Sequence, residues 1–502
     1  MPAHCEAPCR HGLAGLIGIN RCTQTGSRPK PPGGHARHLR GACAWVGSRS
    51  SSAQRDTTRR DAFPRAPPTL TQGALVLDWF VERREVSDVL HLRSGTRILP
   101  ATFERGACVR KGPPSHGEYT WTELSRGTPA PGLLPSEVLE RARAPLAESS
   151  RLSEGAALRE DVVRRLVDVA RAAGALHLEV TLREVDRWTL HAQPERMVED
   201  HTRHALLEVK AFHGEAGGPR FDAWRCVTHP DAARLHAALP SLEAWVDTLV
   251  RELRETTPAV PCPDDALPVL FPPGAASACF FHEVCGHPLE GDVVARGGSF
   301  LARRLGQRVA EPFVHVSDDP TDAQGALGFT WDDEGHAARA VPLLRGGIVT
   351  SPMLDARSAR ALGLEPNGHG RRVDFRHPPL PRMAHTRVEP HEGDLASLLA
   401  DVGHGLLVQH LTPRHMNLLS GDFSFHIVEA RLVRDGRAGP RVGPGVLSGN
   451  GLTALAHIDA VGADARNLFA TRGCRKLDHG PLPVSFGQPS VRFRELRVRP
   501  GT

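Results

Sequence analysis

Two histidines, His282 and His287, bracket Glu283 in the stretch Cys279-Phe-Phe-His-Glu-Val-Cys-Gly-His-Pro-Leu-Glu-Gly-Asp292. Two neutral imidazoles beside one carboxylate are what a zinc hydrolase needs. The imidazoles hold the metal, and the glutamate takes a proton from the attacking water. The histidines stand at i and i+5, whereas the familiar zinc-peptidase motif places them at i and i+4. At roughly 100° per residue, i and i+5 lie about 140° apart on a regular α-helix. Both rings face one metal only where the helix ends or widens between them, as in a π-bulge. Gly286 makes a broken turn cheap, and Pro288 blocks a regular continuation. The chain has 27 histidines, so composition alone yields such a match in about one chain of this kind in ten.

The elements that must position these residues are legible around them. Val269-Leu-Phe-Pro-Pro-Gly-Ala-Ala-Ser277 reads as a strand, a turn and a helix start, which puts the motif early in a helix. Beyond it, glycines and prolines recur every several residues, as in a curled, mainly antiparallel sheet. One helix is expected at Asp394–Val402. Two histidines leave a zinc site incomplete, because catalytic zinc usually takes three protein ligands. Cys285, three residues after His282, is one candidate donor, with a small packing residue as the alternative. Glu290 and Asp292 are candidates to orient His287, or else cap and turn residues of the helix end. Asp332, Asp333 and Glu334 read as a solvated hairpin turn.

The signature His282–Asp292 resembles that of the TldD/PmbA family of metallopeptidases. The likeness continues in order through Asp332-Asp-Glu-Gly335, Arg345-Gly-Gly-Ile348, Asn367-Gly-His-Gly-Arg-Arg372, Pro379-Leu-Pro-Arg-Met383, Ser420-Gly-Asp-Phe-Ser-Phe425, Ser448-Gly-Asn450 and Gly487-Gln-Pro489. Similarity of a weaker kind reaches back to about Ala74. The resemblance implies a metal-bearing, TldD-like member with one Zn2+ per chain. The family's C-terminal cysteine falls on Cys474, within Thr471-Arg-Gly-Cys-Arg-Lys476, and becomes the implied third ligand. It further implies a cytoplasmic peptidase that cleaves unfolded or flexible peptides and helps mature peptide products. The implied partner is a motif-less paralogue in a heterodimer, or a second copy in a homodimer. Two other readings stay open: an inactive structural subunit, and a metal-dependent hydrolase of non-peptide amides or esters.

The rest of the chain is consistent with an α+β protein. Residues 1–70 hold 11 Lys+Arg against 3 Asp+Glu, leaving the remaining 432 residues at −3 of a total of +5. The body is therefore not basic, and nucleic-acid binding gains no support. Residues 1–70 are rich in Arg, Pro, Ser and Gly and poor in large apolar side chains. They read as a disordered tail or an over-extended start. A mixed α/β domain is expected over 71–255, with strands at Leu75–Arg83, Asp88–Arg93, Ala205–Phe212 and Phe221–Val227. Helices are expected over Arg159–Ala173 and from a Ser241 cap, the latter with Leu242, Trp245, Val246, Leu249, Val250 and Leu253 on one stripe. His177 and His191 read as ordinary surface or strand residues. Residues 256–266 read as a linker, and 267–502 as the β-rich domain carrying the metal helix. No run approaches the ~20 apolar residues of a membrane helix. No Gly-x-Ser-x-Gly occurs, and none of the four lysines follows a glycine, which excludes nucleophile-elbow and P-loop readings.

Overall fold

The computed structural model describes residues 77–501, apart from 114–116, 125–133, 215–219, 256–258 and 323–326. The expectations for residues 1–70 lie outside the described residues. The N-terminal part is one six-stranded antiparallel sheet in the order β3-β2-β1-β4-β5-β6. Its strands are β1 (Leu77–Leu92), β2 (Gly95–Lys111), β3 (Glu118–Glu123), β4 (His177–Gln193), β5 (Arg196–Gly214) and β6 (Arg220–His229). Four of them are 16 to 19 residues long, longer than their apolar runs suggest. β1 runs through Glu82-Arg83-Arg84-Glu85, a charged stretch that looks like a break between two strands. Two of the charges are satisfied across the sheet, Arg83 by Asp186 and Glu82 by Arg187, and Arg83 also pairs with Glu148 beyond it.

Helices α1 (Ser136–Ala147), α2 (Ala156–Ala172), α3 (Ala232–Ala237) and α4 (Leu239–Glu255) accompany this sheet. α2 and α4 pack Val162, Leu166, Leu242, Val246 and Leu249 onto Leu178, Val180, Leu182, Leu207 and Val209. These strand residues alternate along β4 and β5, so one face of the sheet is apolar and helix-covered. α4 begins at Leu239, two residues before the expected Ser241 cap, and the Ser241 hydroxyl instead donates to the Ala238 carbonyl.

The C-terminal part is built on two further sheets. One begins with β7 (Asp265–Phe271) and closes on itself. Val491–Pro500 pairs with β7, Gly445–Asn450 with Val491–Pro500, Asp422–Arg434 with Gly445–Asn450, and His404–Met416 with both Asp422–Arg434 and β7. A closed ring leaves no open edge among these five strands. The other sheet is six-stranded and ends in the hairpin Arg466–Lys476/His479–Gln488. α5 (Ala275–Phe281) follows β7 and plugs the ring. Its Phe280 ring lies 5.9 Å from Phe271, 5.0 Å from Phe493, 5.8 Å from Phe423 and 6.4 Å from Phe425. Five aromatic rings with centroids inside about 7 Å give both apolar burial and favourable edge contacts. The helix expected at Asp394–Val402 is Leu395–Val402, with Asp394 as its cap in a reciprocal capping box with Ser397.

Candidate metal centre

α5 gives way at His282 to a π-turn, His282–Gly286, followed by a 3-10 turn, His287–Leu289. The widened turn is the device that the i, i+5 spacing calls for, and it turns both imidazoles to one side. The His282 and His287 rings are nearly perpendicular, with centroids 4.6 Å apart. Gly286 is required for more than flexibility, since a Cβ there would meet the Met383 sulfur at 2.1 Å.

The third donor arrives from the hairpin. Gly473 adopts φ +66°, and a Cβ on it would strike the Leu482 carbonyl oxygen at 2.2 Å. The register slips between Ala470 and Cys474, and this bulge redirects the strand. Cys474 Sγ then lies 3.3 Å from His282 Nε2 and 3.4 Å from His287 Nε2. Among the described residues, His282, His287 and Cys474 form one of two groups with donor atoms close enough to share an ion. All three are buried, at 0, 2 and 0 % exposure.

The donor set fits zinc. Tetrahedral zinc with Zn–N near 2.0–2.1 Å and Zn–S near 2.3 Å sets N···S separations of about 3.6 Å, close to the two found here. Burial opposes ionisation of the Cys474 thiol. The charges of His287, Arg382 and His282 outweigh it and hold the thiol well below its ordinary range. Glu283 follows His282 directly, is 3 % exposed, and its Oε1 has no hydrogen-bond partner. Burial raises its carboxyl pKa against the pull of His287 and His282. The chain thus sets a buried carboxylate oxygen without a partner directly after one donor of the cage.

A set of charged side chains holds the cage. His287 Nδ1 meets Glu290 Oε2 at 3.1 Å, so Glu290 orients this imidazole, one of the two roles the sequence left open, while its backbone also stands at the N-cap of the Gly291–Ala295 helix. Glu290 is in turn 3.1 Å from Lys476 Nζ. Burial disfavours the Glu290 anion, but Lys476, His287 and Arg382 keep it ionised. Asp292 does not reach His287; it pairs with Lys476 and, at 2.7 Å, with Arg296. Arg382 donates to the Cys474 carbonyl and lies 2.8 Å from His479 Nδ1. Gln488 accepts from the Ser277 hydroxyl at 3.0 Å, tying the hairpin to α5. Arg382, Met383 and Lys476 were not singled out individually by the sequence reading, although all lie in the blocks Pro379–Met383 and Thr471–Lys476.

One alternative of the sequence is decided and one of its expectations is overturned. Cys285 is fully buried in the apolar core, burial raises its thiol pKa, and it is absent from the donor cage. The acidic turn is no solvated hairpin: Asp332, Asp333 and Glu334 are 4, 5 and 8 % exposed. Asp332 accepts from the backbone N–H groups of Glu334, His336 and Gly370, at 3.0, 2.8 and 2.9 Å. Asp333 accepts from Arg372 N at 2.7 Å, and Glu334 from Ala356 N at 2.7 Å. With His336, Asp332 and Glu334 make the second close donor group, but their oxygens are engaged by backbone donors. The turn is a brace between loops. His191 lies on β4, buried, and would be struck by a side chain at Gly335.

The fold and the site together define a class: an α+β protein whose β-rich half carries a candidate metal centre. Residues 264–500 match the family model described as the PmbA/TldA metallopeptidase C-terminal domain. Over 249 residues the chain is 30 % identical to a metalloprotease TldD homolog of Haemophilus influenzae, covering 50 % of this chain and 51 % of that one. Over 219 residues it is 32 % identical to a metalloprotease of Methanothermobacter thermautotrophicus, covering 44 % and 47 %. The chain thus spans about half the length of the curated relatives it matches. In fold it is similar to TldE from Thermococcus kodakarensis, with TM-score 0.68 at 15 % identity over 84 % of this chain and 96 % of that one. A Thermotoga maritima protein described as a candidate modulator of a DNA gyrase gives TM-score 0.67 at 17 % identity over 85 % and 96 %. These likenesses support the TldD/PmbA family for this chain, through the match over residues 264–500.

Proposed function

We propose that this protein is a zinc-dependent peptidase acting on unfolded or flexible peptides, with a role in peptide maturation. One observation carries the reading: three donor atoms of His282, His287 and Cys474 converge beside the unpartnered Glu283 oxygen. The name metalloprotease borne by the relatives, one of them a zinc metalloprotease of Saccharolobus solfataricus, supports it. A zinc ion held by the cage would supply a Lewis acid for the scissile carbonyl and bring water toward a pKa of ~7. Glu283 takes the proton from the attacking water and returns it to the leaving amine. Glu290 keeps His287 in the tautomer with Nε2 free for the ion.

Pairing with a motif-less paralogue, or with a second copy, is part of this reading, and the fold shared with TldE supports it. So is a cytoplasmic location; no described helix is long and apolar enough to cross a membrane.

The test is zinc content together with digestion of an unstructured peptide library. The expected result is about one zinc per chain, cleavage abolished by chelator and restored by zinc, and a Glu283→Gln variant that keeps zinc but loses cleavage. Protein free of zinc after expression and dialysis in zinc would instead match an inactive subunit. A zinc-loaded protein that hydrolyses simple amides or esters but no peptide would match the non-proteolytic hydrolase.

A further inference from the structure

The face of the N-terminal sheet that the helices leave uncovered meets the loops of the C-terminal part, and a small, partly open cleft runs between them. Its floor is regular. Val185, Arg187 and Thr189 on β4 stand opposite His204, Thr202 and Asp200 on β5, and Arg84 on β1 stands opposite Arg187. Its roof includes Phe329, Trp331, Arg371 and Leu482. The far end adjoins the metal centre, because Leu482 is the cross-strand partner of Cys474. Arg371 also donates to the Met383 carbonyl, and Met383 is the side chain against Gly286 of the π-turn.

The charges in this cleft do not balance locally. Asp200 accepts from the N–H groups of Thr330 and Trp331, at 2.6 and 3.0 Å. Asp332 is engaged by backbone donors, and Asp333 by Arg187 at 3.0 Å and by Arg372 N. Arg187 is thus paired. Arg84 and Arg371 are not: among the described residues neither has a carboxylate partner. Arg84 donates to the Val373 carbonyl at 3.1 Å, and Arg371 to the carbonyls of Met383 and Pro483. Burial and the neighbouring cation Arg382 pull the Arg371 pKa down to about 10. The same cleft is lined by His204, 5 % exposed, with neither ring nitrogen hydrogen-bonded. Burial and the charges of Arg84, Arg183 and Arg371 keep its imidazole neutral, its pKa near 3. Two guanidiniums without a carboxylate in ion-pair contact and an orphaned imidazole, lining one cleft, are complementary to a carboxylate. Phe329, with Arg371 5.5 Å above its ring, and Trp331 offer apolar surface for the residue that bears it.

We propose that this cleft is a substrate subsite in which Arg84, Arg371 and His204 bind a carboxylate of the peptide, either its C-terminal carboxylate or an acidic side chain. The inference rests on the peptidase reading above for the nature of the ligand. Arg84 and Arg371 supply charge-assisted hydrogen bonds, and His204 donates one from its neutral ring. A peptide anchored there extends past Leu482 toward the cage.

The test is binding, not turnover, so it reads separately from the peptidase reading. Full-length zinc-loaded Glu283→Gln protein is titrated calorimetrically with three synthetic decapeptides. One has neutral side chains and a free C-terminal carboxylate, one is its C-terminal amide, and one is the amide with a single internal glutamate. At least one carboxylate-bearing peptide is expected to bind tenfold or more tighter than the neutral amide, and which one identifies the carboxylate. Adding Arg84→Gln is expected to remove the preference, a loss of about 10- to 100-fold for one charged hydrogen-bonding partner. His204→Leu breaks no existing hydrogen bond and is the second variant, expected to weaken the carboxylate peptide alone. Equal binding of all three peptides, or a preference intact in both variants, overturns the proposal. Absence of chelator-sensitive cleavage by the wild type would overturn the peptidase reading and leave this comparison standing.

Discussion

Replacing Glu290 by glutamine changes one atom and asks what holds His287 in place. Glu290 is 1 % exposed and sits between His287 Nδ1 and Lys476 Nζ, 3.1 Å from each. Glutamine can keep an oxygen facing the imidazole, but it removes the charge that raises the basicity of Nε2. Losing such an outer partner typically costs 10- to 100-fold in metal affinity, about 1.4–2.7 kcal/mol. Lys476, 5 % exposed, would keep only Asp292 as its carboxylate partner. Breaking a buried pair costs about 3–5 kcal/mol of stability, and the lower end applies here because Asp292 remains. A double change, Glu290→Gln with Lys476→Met, removes the cation that has lost one of its two carboxylate partners. It is expected to recover most of the stability but none of the metal affinity. Zinc affinity is measured by competition with a chromophoric chelator, and stability by urea unfolding of the metal-free protein. Native-like zinc affinity in the correctly folded single variant would refute the role given to Glu290. Equal loss of stability in the single and double variants would refute the role given to Lys476.

Other outcomes follow from the packing. Gly286→Ala pushes a methyl into Met383, 2.1 Å from its sulfur, and is expected to lose about 1–3 kcal/mol together with zinc binding. Combining it with Met383→Ala should restore part of both, by thermal unfolding and zinc titration. Glu334 has its pKa raised to about 7, by burial first and then by Asp355 and Asp332. The folded state therefore holds its proton more tightly than the unfolded one, and wild-type stability should fall as pH rises from about 4.5 to 7. Glu334→Gln should flatten this dependence and gain up to about 3 kcal/mol over wild type at pH 8. Parallel urea-unfolding pH profiles for the two proteins would contradict the burial of that carboxyl.

Much of the site was legible because the spacing imposed a mechanical requirement. Histidines five apart cannot face one ion from a regular helix, and Gly286 and Pro288 mark where the turn widens and stops. The stripe of α4 was legible for the same kind of reason, since its period fixes which residues are buried. Burial of polar residues was not. Asp332-Asp-Glu-Gly335 has the composition of an exposed turn, yet its carboxylates are committed to N–H groups supplied by residues up to 39 positions away. The same blindness split β1: Glu82-Arg83-Arg84-Glu85 reads as a solvated break until the opposite charges of β4 are laid beside it. Cys474 was reached only by family likeness. Nothing local distinguishes it from the other buried cysteines until the bulge at Gly473 turns it toward the imidazoles.

The donors of the cage are separated by 187 and 192 residues of chain. An ion bound by them would therefore be a cross-link as well as a reagent, riveting the terminal hairpin to the plug of the closed ring. Because binding to the folded form alone stabilises it by mass action, chelation should make this hairpin the first segment to admit a protease or exchange its amides. The same rivet secures Leu482 at the end of the arginine-lined cleft, so loss of metal would loosen the grip on substrate even before chemistry is considered.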